Sequence, residues 1–393
     1  MTVPLDFSIR RLDVFHVRAA GGGYWEGYVD GRSRAAERYI LANGWRTVYA
    51  RHVESAVVRV ELADGRVGWG EANAPILPEV VCQIARDLLA PLLLGRDFID
   101  PSAMWGFLYD LQRGRGHQGG YQVDAVAAID IAVWDALARR ADVPLAALLG
   151  EQPRSMIPVY LSGLRQATLA ERVAHAREWA GRGLSGVKLF LDADIEAGCT
   201  ELAALKEAVP AIDRWMVDLL WSLETLDEAV AAKAAYGAQD VGWLECPLLP
   251  EDIDGHRQLH AQPGAPIALG EHFHTSFEVA PWLEPRALDV LQPDIGRTGI
   301  SNALQQRLMA LAAGIDVTPH MGSGLDIFQA ATLQFAAICN DGPLTELQGG
   351  LSSRLGDAVD SGWHFADGGF RLPDRPGIGI EVDANRLGAL RAS

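Results

Sequence analysis

The sequence predicts an α/β protein in which a closed (β/α) barrel stands beside a smaller α+β domain. From about residue 155 onward, short apolar runs rich in β-branched or aromatic residues alternate with longer amphipathic segments, the rhythm of βα units feeding a parallel sheet. From the second run onward each run also carries one polar residue: Lys188, Asp218, Glu245, Glu271, Asp294, His320 and Glu346, at spacings of 30, 27, 26, 23, 26 and 26 residues. One βα unit per step gives such spacing. In a barrel it gathers all seven side chains at the C-terminal mouth, whereas an open doubly wound sheet spreads them along a crevice.

Taken in chain order, residues 21–45 begin with glycines and carry aromatics and arginines, as a lid over a site would. Residues 55–72 read as a hairpin turning at Asp64-Gly65. Helical patterns follow at about 78–94, 101–113 and 123–142, so residues 1–150 form the α+β domain. Barrel strands are expected at 157–163, 186–192, 214–220, 240–247, 266–272, 287–294, 315–321 and 343–348. The helical stretches between them, such as 169–183 and 302–315, carry glycine near their ends, where a helix stops. The barrel is thus assigned to 151–354. Past it, proline, glycine and a short alternating run replace an eighth helix, and 355–393 is expected to fold back on the N-terminal part.

At 393 residues, the chain is long enough for a large barrel domain with a companion. Its 49% hydrophobic and 22% charged content is that of an ordinary globular protein. A net charge of −17 argues against nucleic acid or an anionic membrane as partner. An anionic substrate in that field needs a local cation, which a bound divalent metal supplies. Cys82, Cys199, Cys246 and Cys339 are widely spaced and read as free thiols, Cys246 as a small buried hydrophobe. With no secretory pattern and no membrane-length apolar run, a cytoplasmic location is expected.

Removing a proton from the carbon beside a carboxylate makes an enediolate with charge on two neighbouring oxygens. A hard cation held by carboxylates stabilises that charge. Asp218, Glu245 and Glu271, from three consecutive units, supply three oxygen donors suited to magnesium, with manganese as a substitute. His320 is the candidate base and Asp294, one unit earlier, the carboxylate that fixes its tautomer. Lys188 adds positive charge near the substrate carboxylate, and Glu346 is a candidate partner of the intermediate.

The ordered set of Lys188, Asp218, Glu245-Cys246-Pro247, Gly270-Glu271, QPDIGRTG (292–299) and Pro319-His320 resembles the enolase superfamily, in particular its mandelate racemase-like subgroup. The resemblance extends to residues 126–150, the GWGEA run and the closing PGIGIEV. It implies an α+β capping domain over a modified (β/α)7β barrel, magnesium on Asp218, Glu245 and Glu271, a His320–Asp294 acid/base dyad, and a homo-oligomer. Racemising members carry Lys-x-Lys on the second strand; here the run is Lys188-Leu189-Phe190, so the second base is missing. A dehydratase manages with one group. The resemblance to acid sugar dehydratases of the rhamnonate type, with Trp221 three residues past Asp218 and His272 after Glu271, implies dehydration of a small hydroxy acid to a 2-keto-3-deoxy product.

Leu220 stands where an asparagine is common in the subgroup, leaving His272 or His274 to hold substrate hydroxyls. Arg32, Arg34, Arg38, Arg46 and Trp25 are candidates for the distal end of the substrate. An epimerase, racemase or cycloisomerase of the same superfamily, and a non-catalytic scaffold that binds a metal or acid sugar, are the alternatives.

Overall fold

A computed structural model describes residues 4–22, 34–35, 38–42, 47–150, 152–284, 286–339, 344–349 and 353–392. Seven parallel barrel strands follow one another in space as in sequence: Met156–Ser162, Gly186–Phe190, Arg214–Asp218, Leu244–Glu245, Ile267–Leu269, Val290–Leu291 and Asp316–Val317. The eighth, Thr345–Leu347, returns to the first, pairing Glu346 with Tyr160 in parallel register. Between the seventh and eighth strands the seam includes side-chain bonds. Thr318 Oγ1 donates to the Leu344 carbonyl at 2.5 Å, and Glu346 Oε2 accepts from the Met321 N–H at 2.8 Å. The ladders are shorter than the apolar runs predict, because the ends of those runs bend out of the sheet to form the mouth.

Strand alternation explains where the polar residues go. Tyr160, Met216, Trp243, Ala268, Val290 and Leu344 form a small interior cluster, separate from the large core between strands and helices. Two residues onward in the same strands, side chains point inward again. Met216 is thus followed by Asp218, Trp243 by Glu245 and Leu344 by Glu346, and the apolar plug becomes the floor of a polar mouth.

The capping domain is built on a sheet of Phe7–Gly22, His52–Leu62, Val67–Ala72 and Asp97–Phe98. The predicted hairpin is present. Gly65 adopts φ +89°, which the turn requires and most side chains would resist. Helix Tyr121–Ala141 lies so close to this sheet that a Cβ at Gly68 or Gly70 would meet the Ala132 or Ala128 carbonyl at 2.0 Å. The 78–94 pattern forms three abutting helical pieces, Pro78–Gln83, Ile84–Leu89 and Ala90–Leu93. Much of the 21–45 stretch lies outside the described residues. From it Tyr39–Ala42 pairs with Thr47–Ala50, which reaches over the barrel mouth.

The chain's tail divides, where the sequence points only to the N-terminal part. Hairpin strand Gly369–Arg371 adds antiparallel to the start of barrel strand one, whereas Arg391 bridges Val17 of the cap. No helix among the described residues is long and apolar enough to cross a membrane.

Cap and barrel are joined by buried polar contacts. Helix Asp326–Ala336 lacks a side-chain N-cap of its own, and the cap supplies one. Buried Glu71 accepts from the Leu325 and Phe328 N–H groups at 2.6 and 2.9 Å and from Ser55 Oγ at 2.7 Å. Asp130 accepts from the Ser301 N–H at 2.9 Å, and Trp105 Nε1 donates to the Thr298 carbonyl at 2.9 Å. Glu71→Gln turns one acceptor oxygen into an N–H donor and strands a buried backbone N–H. It is expected to lower unfolding stability by about 1–3 kcal/mol in a denaturant titration, with unchanged slope.

Candidate metal centre and acid-base site

The mouth opens into a cavity of about 340 Å³ lined by Lys188, Phe190, Asp218, Trp221, Glu271, Arg297, His320 and Glu346, with Tyr49, Asn73 and Tyr121 from the cap. Glu245 lies beneath it, fully buried. One carboxylate oxygen from Asp218, one from Glu245 and the Cys246 sulfur lie within 4.8 Å of one another. Glu271 faces the same cavity, but its Oε2 is 3.0 Å from His320 Nε2. Lys188, 1% exposed, stands among carboxylates: 2.5 Å from Glu245, 3.1 Å from Glu346 and 3.4 Å from Asp218.

These charges do not balance. Burial, Glu245 and Glu271 together push the Asp218 carboxyl well above the usual range although Lys188 is beside it. Lysine alone therefore does not neutralise the set. A surplus of buried carboxylate oxygens fits a hard divalent cation, and Asp218, Glu245 and Glu271 are the donors suited to hold it. Glu245 is already oriented for this: its Oε2 accepts from Trp243 Nε1 at 2.9 Å and Gln292 Nε2 at 2.8 Å. The Cys246 thiol is pushed well above its usual range by burial first and then by the nearby carboxylates, and a hard cation prefers oxygen donors to its sulfur.

The backbone turns sharply just beyond these carboxylates. Leu220, Trp221 and Cys246 adopt left-handed φ values of 49°, 60° and 48°, which non-glycine residues rarely take. Leu220 N–H donates to Asp218 Oδ1 at 2.9 Å and Trp221 N–H to the Cys246 carbonyl at 2.8 Å. The strained turns thus tie the third and fourth strand ends together.

Across the mouth, His320 Nδ1 lies 2.7 Å from Asp294 Oδ2. That carboxylate also accepts from Asn73 Nδ2 at 2.6 Å and the Gly296 N–H at 2.9 Å. Two clear donors mark Asp294 as an acceptor, so Nδ1 carries the proton and Nε2 is the nitrogen left for chemistry. Burial opposes charge on the ring, but Glu346, Glu271 and the Asp294 bond outweigh it and hold His320 well above the usual imidazole range. Burial likewise works against Glu271, yet His320 holds that carboxyl well below its usual range.

A model of the mandelate racemase / muconate lactonizing enzyme N-terminal domain matches residues 38–150, and one of the enolase C-terminal domain-like family matches 171–386. The chain belongs to the enolase superfamily, on its mandelate racemase-like branch. This superfamily member is 29% identical over 349 residues to D-galactarolactone cycloisomerase from Agrobacterium fabrum, covering 85% of this chain and 90% of that one. It is 26% identical over 335 residues to arabinonate dehydratase from Saccharolobus solfataricus, covering 84% and 88%. A solved enolase superfamily member from Agrobacterium tumefaciens superposes with a TM-score of 0.90 at 31% identity, covering 98% and 99%.

In this enolase-superfamily protein Lys188, Asp218, Glu245, Glu271, Asp294, His320 and Glu346 all meet at the mouth, and Trp221 lines the cavity. His272 departs from expectation. It lies behind Trp221 in an aromatic cluster, ring centroids 4.9 Å apart, and does not line the cavity, because the chain after Glu271 turns it toward Trp282. His274 is bound to Asp124 at 3.2 Å. Arg38 is engaged by Glu54 and Glu79 on the cap body and not by the cavity. Trp25, Arg32, Arg46 and the Arg34 side chain lie outside the described residues.

Sequence reasoning missed Asn73, Gln292, Trp243 and Arg297. Three of these were in quoted or strand-end runs, but nothing local distinguishes a residue that orients a carboxylate from one that merely fills space.

Asp218→Asn is expected to abolish magnesium binding measured by calorimetry. Gln292→Met, which removes only a partner of Glu245, is expected to weaken it by about 10- to 100-fold.

Proposed function

We propose that the protein is a magnesium-dependent enzyme that takes the proton α to the carboxylate of an acid sugar and expels the oxygen on the β carbon, dehydrating an aldonate or aldarate to a 2-keto-3-deoxy acid. The observation that carries this reading is the one-sided base. His320 faces the cavity on one wall, with Asp294 buried behind it and bonded to its Nδ1. On the second strand Phe190 occupies the position of a second base, and Lys188 is held by three carboxylates with its ammonium well above the usual range, burial notwithstanding. Inversion through two bases has no second base there, whereas β-elimination needs only one.

Bound on Asp218, Glu245 and Glu271, magnesium supplies positive charge where the enediolate oxygens develop negative charge. His320 Nε2, which lies 3.0 Å from Glu271 Oε2 and faces the cavity, would accept the C2 proton. Asp294 holds the ring orientation and stabilises the imidazolium. The same imidazolium then returns its proton to the departing β-hydroxyl from the same face. Water is lost, and the enol product becomes the 2-keto acid. Lys188 adds charge beside the substrate carboxylate, and Glu346 is pinned by Ser162 Oγ at 2.5 Å and the Met321 N–H at 2.8 Å, so that it holds its place as charge moves.

A second reading, cycloisomerisation, shares every step to the enediolate but expels a ring oxygen. Phe190, Leu220 and Trp221 give the cavity an apolar wall that leaves few partners for the hydroxyls of an open chain, and one relative is a lactone cycloisomerase.

A panel of aldonates, aldarates and their lactones with magnesium, followed by NMR, separates the readings. Dehydration gives a 2-keto-3-deoxy acid one water lighter than its substrate; cycloisomerisation gives a product isomeric with the lactone. EDTA is expected to stop turnover, and His320→Asn to lower kcat by about 10²–10⁴ while magnesium still binds. Full activity in His320→Asn sinks both readings, deuterium exchange at C2 without ketone points to epimerisation, and silence across the panel points to a binding role.

A further inference from the structure

Among the described residues, Lys188 and Arg297 are the only lysine or arginine side chains that line the cavity. Lys188 belongs to barrel strand two, and Arg297 follows strand six in the first turn of helix Ile295–Ala312. In an eight-stranded ring these are opposite walls. Lys188 has three carboxylate partners, while the Arg297 guanidinium has neither a hydrogen bond nor an ion pair among the described residues, and its Nε is buried without a partner.

Acidic groups surround Arg297, yet each is already committed. Asp124 is bound to His274 at 3.2 Å, Asp294 to His320 at 2.7 Å and Glu271 to His320 at 3.0 Å. A guanidinium cannot shed its charge, and leaving it partly buried without an acceptor is costly. A ligand that supplies the acceptor removes that cost.

We propose that Arg297 is a specificity-determining residue that binds a second carboxylate at the distal end of the substrate, so that the acid sugar handled here is a dianion, an aldarate or the lactone of one. This rests on the proposed function only for the sugar; the subsite itself stands on geometry. With one carboxylate at the acidic metal centre beside Lys188, the other reaches the opposite wall, where the planar fork of Arg297 donates two parallel N–H···O bonds to it.

The test is calorimetric and needs no turnover. Succinate, glutarate and adipate are titrated into the magnesium-loaded protein beside their mono-amides, which match them in length but lack one charge. At least one diacid is expected to bind tenfold or more tightly than its mono-amide. Arg297→Met is expected to erase the difference and Arg297→Lys to keep part of it, with magnesium affinity and melting temperature as folding controls. Equal binding of diacid and mono-amide, discrimination that survives in Arg297→Met, or no diacid binding at all overturns the subsite. Discrimination through Arg297 without turnover of any acid sugar leaves the subsite standing and removes the reaction; turnover of aldonates unaffected by Arg297→Met does the reverse.

Discussion

Five carboxylates, those of Asp218, Glu245, Glu271, Asp294 and Glu346, converge on the mouth of this barrel, and the fold is arranged around the repulsion among them. Alternation along the strands puts them there, two residues beyond the apolar floor. Once there they need opposite charge, which Lys188 and His320 supply incompletely. Buried carboxylates that outnumber their partners oppose folding unless a cation completes the set. The centre is therefore held by tight local devices: left-handed turns after Asp218 and Glu245, and Trp243 and Gln292 fixing the Glu245 carboxylate.

The same constraint gives the capping domain a second task beyond covering the mouth. Glu71 caps a barrel helix, and two residues later Asn73 bonds Asp294, which orients His320. One short hairpin end thus anchors the cap and bonds the buried partner of His320. A shift of the cap that broke the Glu71 bonds would also remove a donor from Asp294. Docking of the two units and readiness of the imidazole are consequently linked through three residues of chain.

What the sequence made legible follows from this design. The barrel was readable because its strands repeat one instruction, apolar residues and then a charged one, at nearly constant intervals. The seven polar residues at the mouth were readable for the same reason. Asn73 and Arg297 were not, since their roles come from contacts across 221 residues in one case and from an absence of contacts in the other. His272 misled because adjacency to Glu271 in sequence says nothing about direction once the strand has ended. The strand ends were overextended because the runs stay apolar into the turns, where burial continues but ladder pairing stops.

Phe190 is where the proposed one-sided chemistry meets the frame of the barrel. Its ring lies on the wall where a second lysine would stand, with the Lys188 ammonium 5.6 Å from its centroid. A second ammonium there would add a cation beside Lys188 and a proton donor to the opposite face of the enediolate. An aromatic ring supplies neither. On the proposed reading, an enediolate formed against it would find no second base at that position, which favours loss of a β-oxygen on the side of the imidazolium that holds the proton. The direction of the proposed reaction thus rests on what the second strand lacks as much as on what the seventh provides.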